Sequence, residues 1–128
     1  MARSQQGIEI YVRDCSLDRI QDWIQTVLGA ITPVDQVNEM SMRIHEAYHA
    51  GQPIPIVITS GVADGSFTSV WFNALDMPWA TDAACARQAA RALGCEVRCN
   101  PGLLGSSPYS DECLRIVGDR EEVVVWDC

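Results

Sequence analysis

The sequence predicts an α+β protein made of two βαβββ-like halves, its antiparallel strands carrying two main helices on one face. Three observations predict it. Phe67 to Asn73 is rich in aromatic and β-branched residues, the run from Thr81 to Leu93 is alanine-rich and amphipathic, and Cys95, Val97 and Cys99 alternate with Glu96 and Arg98. That unit is strand, helix, strand. The same order opens the chain between Ile8 and Val37, and each half then closes in short strands. In those closing strands Met40, Met42, Arg43 and Ile44 match Glu112, Leu114, Arg115 and Ile116 in position and period.

Element by element, Ile8 to Asp14 alternates apolar and polar residues, which puts Glu9, Tyr11 and Arg13 on the face away from Ile8, Ile10 and Val12. Ser16 caps a helix through Leu28, with Leu17, Ile20, Ile24, Val27 and Leu28 as its stripe, Trp23 at the stripe's edge and Gly29 as its stop. Ile31 to Val37 is a strand that Pro33 confines to a sheet edge or makes irregular, and Pro53 and Pro55 push Ile54 to Ser60 toward an edge as well. Between them, residues 39–50 fit two patterns. Asn38 as cap, Met40, Ile44, Ala47 and Tyr48 as stripe and Gly51 as stop make a helix; Met40, Met42 and Ile44 in alternation make a strand. Gly61 to Gly65 is a turn. A Pro-Trp loop precedes the second helix, which Thr81 caps, with Ala83, Ala86, Ala90 and Leu93 on one face and Gly94 just past its end. Gly102 to Ser110 reads as a loop, and Glu112 to Val117 with Glu121 to Trp126 as a closing hairpin.

At 128 residues the chain is expected to form one domain, 1–128, with an internal pseudo-repeat of 7–61 and 66–127. A formal charge of −8 repels nucleic acid and anionic membranes and favours a basic protein partner. No 18-residue apolar run and no signal-peptide core are present, so the cytoplasm is the simplest compartment. The six cysteines fall mostly inside elements and read as small buried hydrophobes in a reducing setting. Cys15, just before the first helix, could have a lowered pKa; a buried or merely exposed thiol is the plainer account.

One motif names a chemistry. His45-Glu46-Ala47-Tyr48-His49 is an HExxH match and on a helix resembles the zinc metallopeptidases, which implies His45 and His49 as ligands of Zn²⁺ and Glu46 as the general base. No further histidine completes the set, and Arg43 adds positive charge where a cation would sit. On a strand the two imidazoles would share a face but lie about 13 Å apart, so the plainer expectation is two solvent-facing histidines. The order of elements resembles the vicinal oxygen chelate family, and this implies a small-molecule pocket between the halves. Of the positions that family would use for metal, only Glu9 and Asp127 are strong oxygen ligands. No cofactor and no catalytic group is assigned.

The remaining expectation is a non-enzymatic binding protein of immunity or antitoxin type, monomer or homodimer. Its contacts would come from the rigid loop Asp76 and Trp79 with Asp82, and from an acidic group of Asp111, Glu112, Asp119, Glu121, Glu122 and Asp127 that the shortage of base leaves largely unneutralised.

Overall fold

A computed structural model describes residues 7–37, 41–106 and 111–126. Eight strands form a single antiparallel sheet. They are β1 (Ile8–Arg13), β2 (Thr32–Val37), β3 (Met42–His49), β4 (Gln52–Val62), β5 (Phe67–Phe72), β6 (Val97–Cys99), β7 (Glu112–Val117) and β8 (Arg120–Val125), in the spatial order β2-β3-β4-β5-β1-β6-β7-β8. The helices α1 (Leu17–Leu28) and α2 (Asp82–Leu93) pack side by side on one face.

Alternation within the strands chooses that face. Ile8, Ile10 and Val12 of β1 align with Phe72 and Val70 of β5 on one side and with Cys99 and Val97 of β6 on the other, and all of these are buried. Ile54, Ile56 and Ile58 of β4 and Leu114 and Ile116 of β7 continue the layer. Ile20, Trp23 and Ile24 of α1 and Cys85, Ala86, Ala89, Ala90 and Leu93 of α2 close it from above. The alanine and cysteine face of α2 lets that helix approach the sheet closely. Both caps form as the sequence implies: Ser16 Oγ accepts from Arg19 N at 3.3 Å, Thr81 Oγ1 from Ala84 N at 3.1 Å, and Gly94 takes a left-handed C-cap with φ 66°. Ala83, expected on the packed face of α2, is only half-buried.

Several expectations need correction. Residues 42–49 are a strand, β3, and the alternative cap Asn38 and the matched Met40 lie outside the described residues. β4 is not an edge: it runs for 11 residues between β3 and β5. Its prolines fit because Pro55 O accepts from Asn73 N at 2.9 Å, so the missing Pro55 N–H also points toward the β5 side, where β5 has already ended. Pro53 lies further along the same unpaired rim. The edges are instead β8 and β2, and β2 carries Pro33 beside a bulge, as Pro33 implies.

The two halves repeat the element order, but the sheet does not repeat their arrangement. In the first half the three closing strands run from the edge inward, β2 to β4; in the second they run outward, β6 to β8. β1 sits between β5 and β6, both from the other half. The halves are therefore interleaved, and a groove separating two equivalent units has no place in this topology.

Candidate functional site

Strand direction sorts the connections to two ends of the sheet. At one end lie the start of β1, the β3–β4 turn, the β5–α2 loop, the β6–β7 loop and the tail after β8. Among the described residues, five of the seven large apolar side chains left in solvent lie at this end. Leu75 in the β5–α2 loop is 82% exposed, and Leu103 and Leu104, in a 3-10 turn of the β6–β7 loop, are fully and 59% exposed. Tyr48, at the end of β3, and Val125, at the end of β8, add to them. β5 and β6 are separated only by β1, so these two loops leave the sheet about 10 Å apart. A Leu-rich tip in water is costly unless something covers it.

Acidic residues border the leucines. Asp76 follows Leu75, Asp111 closes the β6–β7 loop, and both are exposed with no ion pair among the described residues. Glu112 accepts from Ser106 N and Oγ at 2.6 and 3.1 Å, which ties the loop back to β7. Asp111 O accepts from Trp126 N at 2.9 Å and so anchors the chain leaving β8.

Trp126 links this end to the helix-free face of the sheet. Its ring stands edge-on to Tyr11 at 4.8 Å and lies 4.9 Å from Phe67, although β6 and β7 intervene between β8 and β1. The outer strands must coil over this face to bring them together. The Arg98 guanidinium lies over both the Phe67 and Trp126 rings, 5.2 Å from each centroid. Beneath it Glu96 gathers Arg98 at 2.8 Å, Arg115 at 3.2 Å and Arg13 at 3.4 Å. Burial opposes the charge of Glu96, but the hydrogen bond from Arg98 and the positive charges of Arg115 and Arg98 outweigh it and hold its carboxyl below the usual range. This platform is rigid and mixed in charge. Tyr11 and Arg13 are legible in the sequence as the outer face of β1; the contribution of Trp126 is not, because it rests on coiling of the whole sheet.

The expected contact residues divide. Asp76, Asp111 and Glu112 lie at the leucine-bearing end, Asp76 in the loop after β5 and Asp111 and Glu112 at the start of β7. Trp79 is buried, stacked on Trp23 at 5.9 Å and packed on Phe72 at 5.1 Å, with its Nε1 donating to Gln88 Oε1 at 2.5 Å, so it belongs to the core. Asp82, in the first turn of α2, is also buried. Asp119 occupies the β7–β8 turn at the opposite end. Glu121 and Glu122 are neutralised, against expectation, because Glu121 receives Arg87 at 2.8 Å on the helix side and Glu122 receives Arg115 at 3.0 Å on the other. Asp127 lies outside the described residues.

The HExxH residues do not make a zinc site. β3 is extended, so His45 and His49 share a face about 13 Å apart. His45 is not solvent-facing but buried under α1, its Nε2 3.3 Å from Gln21 Nε2. Burial and the charge of Arg43 lower its pKa. Among the described residues no three histidine, cysteine or carboxylate side chains are grouped to hold a metal ion. A shallow open depression is lined by Ala84, Arg87, Gln88, Arg91 and Ala92, all from α2, and it does not lie between the halves. Comparison of the chain with protein-family models, with curated proteins and with solved structures gives no match.

Proposed function

We propose that this chain is a non-enzymatic binding protein of immunity or antitoxin type, which occludes a basic protein partner with the leucine-bearing end of its sheet. The observation that carries the reading is the concentration of Leu75, Leu103 and Leu104 in two loops at one end of the sheet, bordered by Asp76 and Asp111. Apolar side chains in such loops supply contact area, and the acids around them select a cationic surface and exclude an anionic one. The net charge of −8 adds long-range attraction toward the same partner. The chain leaving β8 is tied to the β6–β7 loop, because Asp111 O accepts from Trp126 N at 2.9 Å.

The test is capture of the partner from the native cell, followed by association kinetics of the purified pair. Leu103→Asp and Leu75→Ser are expected to weaken binding at least tenfold, whereas Asp119→Asn at the far end leaves it within twofold. The association rate should fall about tenfold between 50 and 500 mM salt. A partner whose association ignores salt, or whose affinity survives both leucine changes, would overturn the reading.

A further inference from the structure

The end of the sheet opposite the leucine loops holds a second chemical feature. Five cysteines among the described residues carry free thiols. Cys85, Cys99 and Cys113 are buried. Burial pushes the Cys99 thiol up to about 12, which leaves it inert. Cys15 and Cys95 are different, since both are half-exposed and the Cys95 thiol lies close enough to Cys15 to help raise its pKa.

The fold puts them there. The β1–β6 ladder pairs Ile10 with Cys99, Tyr11 with Arg98 and Val12 with Val97, and Arg13 N continues it by donating to Glu96 O at 2.9 Å. One step further, Cys95 falls beside the Asp14-Cys15 segment, where β1 turns into α1. A carbonyl at the end of α2 fixes the surroundings: Leu93 O accepts from Arg19 Nη2 at 2.5 Å and from the Cys95 thiol at 3.5 Å. Arg19 therefore brings a positive charge close to the pair, and its field favours the Cys15 thiolate. Directly opposite residues of an antiparallel pair lie about 4.5–5.5 Å apart at Cα, so Cys15, one residue off direct register with Cys95, falls at about 6 Å, inside the range a disulfide spans.

We propose that Cys15 and Cys95 close into a reversible disulfide that staples the start of α1 to the segment joining α2 and β6. With glutathione disulfide as oxidant, one cysteine thiolate attacks a glutathione sulfur, forms a mixed disulfide and expels one glutathione thiolate. The second cysteine thiolate then attacks the protein-bound sulfur and expels the other. Two thiols and one glutathione disulfide become one protein disulfide and two glutathione thiols, and the two electrons leave with the glutathione. Burial and the neighbouring thiol hold Cys15 up to about 11, so closure is slow near neutral pH and accelerates as pH rises. The staple ties the first half of the chain to the second across their interleaved seam, away from the end proposed to meet a partner.

The experiment incubates the full chain with glutathione disulfide at pH 8 and maps its peptides without reduction. A Cys15–Cys95 cross-link is expected, reversed by dithiothreitol and absent from both Cys15→Ser and Cys95→Ser. Because the linkage encloses about 80 residues, the oxidised wild type should melt about 10 °C above the reduced form, a rise that Cys15→Ser does not show. Cys15 and Cys95 that stay free, that each end as glutathione adducts, or that link to Cys128 instead would overturn the proposal. So would a linked form that melts no higher than the reduced one.

Discussion

His45 shows how one side chain sets the response to acid. It is buried, its Nδ1 has no hydrogen-bond partner, and the Gln21 amide at its Nε2 suits a neutral ring. Its pKa in the folded chain lies below the ordinary 6.5, so as pH falls the unfolded chain takes up the proton first. This contribution to stability is complete above about pH 6.5 and declines below it. Urea unfolding of the wild type should lose midpoint between pH 7 and 5, and His45→Leu should lose less over that interval. Glu96 acts in the same direction at lower pH, since its carboxyl is held down in the folded state and its stabilisation is lost as pH falls below about 4.5. Glu96→Gln leaves Arg13, Arg98 and Arg115 facing one another without their shared counter-charge. After discounting for the partial exposure of the arginines, a loss of about 2 kcal/mol is expected at pH 7, measured by denaturant titration.

Among the elements, the β3–β4 hairpin carries the simplest stored strain. Its two-residue turn is Ala50-Gly51, with φ of 52° and 78°, a left-handed pair that glycine or asparagine adopts readily and alanine does not. Ala50→Gly and Ala50→Asn should each raise stability by about 0.5–1 kcal/mol, read as a higher midpoint in thermal or urea unfolding. Both helices, β1 and the closing hairpin were legible in the sequence, because cap residues, glycine stops and period-two alternation are local signals. β3 was not, since Met40, Ile44, Ala47 and Tyr48 fit helical spacing while Met40, Met42 and Ile44 fit extended spacing, and only its pairing with β2 and β4 decides. The site was legible in part for the same reason. Asp76, Asp111 and Glu112 could be named from composition, but the leucines beside them were hidden: an apolar residue in a loop looks like any other until the sheet shows that its loop ends in water.

For the molecule as a whole, acid exceeds base by eight charges, and every base is arginine, for the sequence contains no lysine. Arginine takes several carboxylates at once, which is how Arg115 serves both Glu96 and Glu122. The surplus therefore falls on groups that make no ion pair among the described residues, including Asp18 and Asp22 on α1 as well as Asp76 and Asp111.

The position of β1 also dictates when the protein can exist. Its two neighbours are supplied by residues 67–72 and 97–99, so a chain emerging from the ribosome holds its first strand without a mate until most of the rest has been made. Residues 1–62 produced alone should give a collapsed or insoluble polypeptide with poorly dispersed amide resonances. Co-expression of 1–62 with 63–128 should restore the native spectrum, since the missing mates arrive on the second fragment.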